Sequence, residues 1–254
     1  MSEERVQKLL SQSGFGSRRT CEGLIEQGRV TVNGSKVILG QKADIERDTI
    51  LVDGKPIPKP RGLRYIALNK PRFVLCDKPI DDPRRTVFDL VENGSELAAV
   101  GRLDYESEGL VLLTNDGVIV NRLTHPRYQH EKEYRVLVST HPDEKQLEIW
   151  RRGVVLEDGH RTKPAFVRVE TNAGKGTWLN VVLKEGHKRQ IREMARETGL
   201  FIVKLIRVRI GPIRLGALKP GEWRNLTADE ISKLKDSLSS PIAQKKSGGK
   251  TASA

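Results

Sequence analysis

Cysteine is nearly missing from this sequence: Cys21 and Cys76 are the only two in 254 residues. Two thiols are too few for a disulfide framework, which fits the reducing cytoplasm, and both lie among apolar neighbours as small core residues do. Neither belongs to a C-x-x-C motif and the five histidines are scattered, so no metal-ligand set is readable. No apolar run approaches the roughly 18 residues that a membrane span requires, so no membrane partner is expected. Residues 1–7 are charged and polar, with no apolar segment behind them of the kind a secretion signal carries.

What the chain has instead is positive charge, +12 formally, with a pI of about 9.8. An excess of that size points to a polyanionic partner, nucleic acid first, although charge alone does not separate RNA from DNA or from an acidic membrane surface. Apolar residues make up 37%, enough for a real core. At this length a small domain joined to a medium one is the favoured division.

Val6, Leu9 and Leu10 recur at helical spacing until Gly14-Phe15-Gly16 breaks the pattern. Ser17 is a good N-cap for a second helix with Cys21, Leu24 and Ile25 on its apolar face, and Gly28 is placed to end it. Val30-Thr31-Val32, the Asn33-Gly34 turn and a strand near Val37 read as a hairpin. Another strand is expected over Ile50-Leu51-Val52, before an extended linker marked by Pro56, Pro58 and Pro60.

Beyond the linker, a strand over Tyr65-Ile66-Ala67-Leu68 is expected to stop at Asn69-Lys70-Pro71, and the run Leu110-Val111-Leu112-Leu113 is expected to form a buried strand. Further strands are read at 134–139, 167–170, 177–183 and 203–210, with a helix over 187–198. Strands with interspersed helices but no βαβ rhythm predict an α+β fold with a largely antiparallel sheet. The expected domains are 1–60, 61–227, and 228–254 as a helix remnant and basic tail in which Lys245, Lys246 and Lys250 add RNA affinity.

In the small N-terminal module Arg18, Arg19, Arg29 and Lys36 lie on the second helix and the hairpin. They read equally well as a solvated basic face and as ligands of RNA phosphates at a helix N-terminus. Gly-Phe-Gly-Ser-Arg-Arg at 14–19 and Gly-Arg-Val-Thr-Val-Asn-Gly at 28–34 then tip the balance, because the stretch 5–54 resembles the alpha-L RNA-binding domain. The resemblance implies RNA binding.

The loop Gly101-Arg102-Leu103-Asp104-Tyr105-Glu106-Ser107-Glu108-Gly109 sets one aspartate at the lip of an apolar sheet beside an arginine. A partly desolvated carboxylate kept ionised by a cation suits a nucleophile or a base. A turn aspartate at a strand entry would look the same and is the commoner case. A magnesium site built from Asp104, Glu106, Glu108 and Asp116 is disfavoured, since alternating carboxylates on an extended loop diverge. The whole stretch 101–117, GRLDYESEGLVLLTNDG, closely resembles the signature of bacterial ribosomal-RNA pseudouridine synthases, in the branch that carries an N-terminal alpha-L domain. The resemblance makes Asp104 the catalytic aspartate and Arg102 the arginine of its Arg-Leu-Asp core. Tyr105 departs from the smaller polar residue of many relatives.

Three more stretches resemble that family. Leu68-Asn69-Lys70-Pro71 matches its opening motif, and Lys132-Glu133-Tyr134-Arg135-Val136 matches the segment whose tyrosine packs on the target base. Glu185-Gly186-His187-Lys188-Arg189-Gln190-Ile191-Arg192-Glu193-Met194 carries the third match, implying Arg192 as the ion-pair partner of Asp104 and Ile191 as an apolar contact near the base. Arg189, Arg192 and Arg196 are expected on one helix face, with Lys188, Arg189 and Arg196 touching RNA. The resemblance spans residues 5–227 and lies nearest to the synthases of large-subunit rRNA. It implies isomerisation of a uridine in ribosomal RNA, for which no cofactor or metal is expected; a monomer in the cytoplasm is the default expectation. A small-subunit rRNA synthase and a non-catalytic ribosome-assembly protein are the alternatives; the second predicts a replaced carboxylate or a broken arginine partner.

Overall fold

Helix α1 (Val6–Gln12) buries Val6, Leu9 and Leu10, and α2 (Arg18–Glu26) buries Cys21 and Ile25 against them. The Ser17 side chain accepts from the Thr20 N–H, which satisfies one of the amides left open at the start of α2. Strands Val30–Val32, Ser35–Lys36, Ile50–Val52 and Lys55–Pro56 form a small antiparallel sheet over the same core. Asn33 (φ 51°) and Gly34 (φ 82°) both take the left-handed backbone that a tight hairpin turn demands. Pro56 is a correction to the expected linker: it pairs with Leu51 and ends the sheet, at an edge where a residue without an N–H is tolerated.

This computed structural model describes residues 3–59, 62–77 and 81–239. Pro60 of the expected linker and Lys245, Lys246 and Lys250 of the expected tail lie outside them. The chain divides into two compact units, Met1–Val120 with Leu215–Leu226, and Asn121–Arg214 with Thr227–Ala254.

Besides the N-terminal module, the first unit holds the strands Tyr65–Lys70, Ala98–Val100, Glu108–Thr114 and Trp223–Asn225, paired antiparallel throughout. Tyr65–Lys70 runs through the residues expected to end it and is buried along its whole length. Asn69 and Lys70 donate internally: Asn69 Nδ2 to the Leu218 carbonyl at 2.8 Å and Lys70 Nζ to that of Pro71 at 2.9 Å. Pro71, which cannot donate to a ladder, ends the strand.

In the second unit Phe166–Ala173, Gly176–Leu183, Lys132–Val138, Ile202–Ile210 and Ile213–Arg214 pair antiparallel in that order. Helices α4 (Glu144–Arg152), α5 (Gln190–Glu197) and α6 (Ala228–Ser239) complete it, while α3 (Gly117–Thr124) spans the boundary between the units. The architecture is α+β with antiparallel ladders, as expected. α3, α4 and the Ala98–Val100 strand were not anticipated. The signal for α4 was present in Asp143 and Gln146, which form a reciprocal capping box ahead of the buried Leu147 and Trp150. Among the described residues no helix is long and apolar enough to cross a membrane.

Candidate active site

Residues 101–107 connect two antiparallel strands, Ala98–Val100 and Glu108–Thr114, whose register places Val100 opposite Leu112. Gly101 turns the chain with φ 74°. The Leu103 side chain is buried and its N–H donates to Cys76 Sγ at 3.3 Å. The Ser107 N–H donates to the Asp104 carbonyl at 3.0 Å, closing a turn around the aspartate. On the next residue, the Tyr105 carbonyl accepts from the Phe73 N–H at 2.7 Å and from Lys70 Nζ at 3.5 Å. The backbone is therefore tied down on both sides of Asp104, whose own side chain is half-buried. Arg102 Nη1 lies 2.7 Å from Asp77 Oδ2 with both groups exposed, so this arginine links the loop to the segment that follows Lys70.

Asp116 is engaged elsewhere. Its Oδ2 accepts from the Tyr65 hydroxyl at 2.8 Å, and its Oδ1 accepts from the amides of Val118 and Ile119 at the start of α3. Burial first, and then this carboxylate, push the Tyr65 hydroxyl well above its usual pKa. Among the described residues no three His, Cys, Asp or Glu side chains are grouped to hold a metal ion, so the acidic loop does not present a magnesium cage.

In the second unit Tyr134 is 8% exposed and stands opposite Val181 on one neighbouring strand and Arg207 on the other. A register shift at Glu133/Tyr134 leaves Val208 without a counterpart on this strand, so the bulge beside the tyrosine lies on Ile202–Ile210. Arg207 is 1% exposed, a buried cation that sequence reading missed. Its signal was the alternation in Leu205-Ile206-Arg207, which puts the arginine on the inward face.

Ile191 is buried and Arg192 half-buried in the first turn of α5. The helix begins at Gln190 rather than at His187, because Gln190 closes a turn of its own: its Oε1 accepts from the His187 N–H and its Nε2 donates to Glu185. Arg189 (φ 54°) precedes the helix and does not share the face that carries Arg192 and Arg196, which corrects the expected three-arginine stripe. Lys188 and Arg189 are exposed. Arg196, also exposed, binds Glu157 at 2.6 Å and Glu197 at 3.1 Å.

Lys132 shares the Tyr134 face of its strand, and its Nζ donates to the His130 carbonyl at 3.2 Å. Burial, reinforced by the Arg207 charge, lowers its pKa from 10.5 to about 8. Between those two values the unfolded chain binds more protons than the native one, so the group's contribution to stability rises with pH across that window. Chemical unfolding of wild type and Lys132→Met between pH 7.5 and 10.5 should show the wild type gaining stability relative to the variant as pH rises; a constant difference would discount the buried ammonium.

On the N-terminal module Arg18, Arg19 and Lys36 are exposed, the arginines in the first turn of α2. Arg29 is exposed as well but is held by Asp53, with Nε 2.9 Å from Oδ1.

Comparison with known proteins assigns both parts. The RNA pseudouridylate synthase family matches residues 64–197, and the S4 domain matches residues 4–50. An uncharacterized RNA pseudouridine synthase of Aquifex aeolicus is 44% identical over 237 residues, covering 92% of this chain and 94% of that protein. The ribosomal large subunit pseudouridine synthase B of Yersinia pestis is 38% identical over 243 residues, covering 92% and 76% respectively. A crystal structure of a pseudouridylate synthase superposes with a TM-score of 0.66 at 29% identity, covering 91% of this chain and 99% of that one. The chain belongs to the RNA pseudouridylate synthase family and is an enzyme of that class, with an N-terminal S4 domain.

Proposed function

We propose that this enzyme isomerises a specific uridine of large-subunit ribosomal RNA to pseudouridine, with Asp104 as the catalytic carboxylate and no cofactor. The observation that carries the chemical part is the loop 101–107, in which neighbouring backbone bonds fix a half-buried aspartate at the end of a buried strand. Fixed placement of a carboxylate is what a reaction without redox change or group transfer needs. The large-subunit target is supported by the similarity to the Yersinia pestis synthase.

In the reaction the bond from the ribose to uracil nitrogen 1 breaks and the base rotates. Carbon 5 then joins the ribose while its hydrogen leaves as a proton and nitrogen 1 gains one. Asp104 opens this sequence as a nucleophile or as a base toward the ribose. Arg192 serves as its ion-pair partner, Arg102 supports the loop, Tyr134 stacks on the uracil and Ile191 lines the base. A uridine within a helix must leave it to be reached. The module to about residue 60 binds the surrounding RNA through Arg18, Arg19, Arg29 and Lys36, with Lys188, Arg189 and Arg196 from the catalytic domain, 61–227. We place the enzyme in the cytoplasm as a monomer.

The test is tritium release from rRNA labelled at uracil carbon 5, run with EDTA, on large- and small-subunit rRNA separately. Release from the large-subunit RNA alone supports the proposal; release from the small-subunit RNA alone overturns its target. The RNA-binding assignment has its own measurement. In Arg18→Gln/Arg19→Gln the log–log salt slope of rRNA binding should be shallower by about 1 per lost phosphate contact. An unchanged slope would make these arginines a solvated face.

A further inference from the structure

Phe73 combines two features that oppose stability. Its φ is 62°, a left-handed backbone that a bulky side chain rarely adopts, and the residue is 55% exposed. The Phe73 N–H bond to the Tyr105 carbonyl, 2.7 Å long, holds it in place on the residue after Asp104. The two rings meet edge to face, centroids 5.5 Å apart at 62°. A guanidinium covers each ring, Arg72 at 4.9 Å from the Phe73 centroid and Arg84 at 5.0 Å from that of Tyr105. Both arginines are exposed, and Asp82 orients Arg84 through Nε contacts of 2.9 and 3.1 Å.

We propose that Phe73 and Tyr105 form a stacking platform for an unpaired base of the substrate RNA next to the target uridine, with Arg72 and Arg84 receiving the flanking phosphates. This rests on the reading of Asp104 as the reacting centre and adds to it a surface that reads the neighbouring nucleotide. Extruding a uridine strips its neighbour of a stacking partner, and an exposed aromatic ring replaces that partner whatever the base. Both guanidiniums are exposed, and Arg72, which lies over the Phe73 ring in the free enzyme, swings from that face to a flanking phosphate as the base takes its place. The crossed ring planes fit one base on Phe73, with Tyr105 bracing the ring rather than taking a second base. A backbone outlier held by a hydrogen bond to the catalytic loop, presenting a ring to solvent, is costly as packing and useful as a binding surface.

The experiment compares wild type, Phe73→Gly and Phe73→Trp in tritium release from labelled large-subunit rRNA. Glycine adopts positive φ freely, so Phe73→Gly should melt no lower than wild type and separates loss of the ring from loss of the fold. KM for the RNA should rise about tenfold in Phe73→Gly, the size of one base–aromatic stack, with kcat within about twofold and near-complete recovery in Phe73→Trp. An unchanged KM, or a fall in kcat alone, overturns the platform. Quenching of a 2-aminopurine base in a single-stranded RNA oligomer supplies an independent readout. If wild type releases no tritium from either rRNA, the target reading fails. Quenching by wild type and Phe73→Trp but not Phe73→Gly would still support the platform, and equal quenching by all three would overturn it.

Discussion

Asp104→Asn should fold as wild type, bind rRNA within about twofold of it, and release tritium at a rate lower by about 10⁴-fold or more. The magnitude is that of removing the central group of a catalytic set. The substitution is close to isosteric, and the bonds that shape the loop come from other atoms. Leu103 donates through its backbone to Cys76, Ser107 donates to the Asp104 main-chain carbonyl, and Tyr105 accepts through its own carbonyl. None of these needs the side-chain carboxylate, so the loop backbone is expected to hold, with the thermal midpoint lowered only by the loss of the carboxylate's charge pairing. What disappears is the charge and nucleophilicity of one oxygen. Release above about 1% of wild type, with the variant free of contaminating enzyme, would remove Asp104 from the mechanism and leave the loop a structural turn.

Lys70→Met is the other substitution with a large expected effect, and it acts on both stability and rate. Lys70 is fully buried, and its ammonium donates to the carbonyls of Pro71 and Tyr105. Methionine fills similar volume but leaves those carbonyls without this donor; charge-assisted bonds of this kind are worth about 1.5–3 kcal/mol. A loss of about 3 kcal/mol in urea unfolding is expected. The Tyr105 carbonyl keeps its bond from the Phe73 N–H, but it is one residue from Asp104, so loss of its second donor should loosen the loop and also move the carboxylate. A displacement of about 1 Å from the reacting geometry lowers kcat on the order of 10²-fold. Positioning predicts that kcat falls while KM for the RNA holds. A variant as unstable as expected but with wild-type kcat below its melting range would restrict Lys70 to the fold.

The two substitutions also mark what was legible in the residues. The stretch 101–117 was readable as a unit only through its resemblance to the pseudouridine synthase signature, since its local residues fit a plain turn aspartate as well, whereas the buried strand behind it follows from Leu110 to Leu113. The hairpin at Asn33-Gly34 was readable from its local residues. Lys70 was not, since a lysine beside a proline reads as the end of a strand; only a partnered ammonium lets it continue inside the sheet. The start of α5 was misplaced because the Gln190 side chain, not a helix-forming preference, decides where the turn closes. Arg207 escaped notice because burial of a cation depends on strands distant in sequence, Lys132–Val138 among them. Phe73 gave no local warning at all: nothing in Pro-Arg-Phe-Val predicts a left-handed phenylalanine.

The pairing of Trp223–Asn225 with Ile66–Leu68 has a consequence for how the chain is made. The N-terminal module closes its contacts within about fifty residues and is free to fold while translation continues. The Tyr65–Lys70 strand, whose lysine reaches the carbonyl next to Asp104, cannot gain its last neighbour until more than 150 further residues have left the ribosome. A nascent enzyme is thus equipped to hold RNA well before it is equipped to modify it.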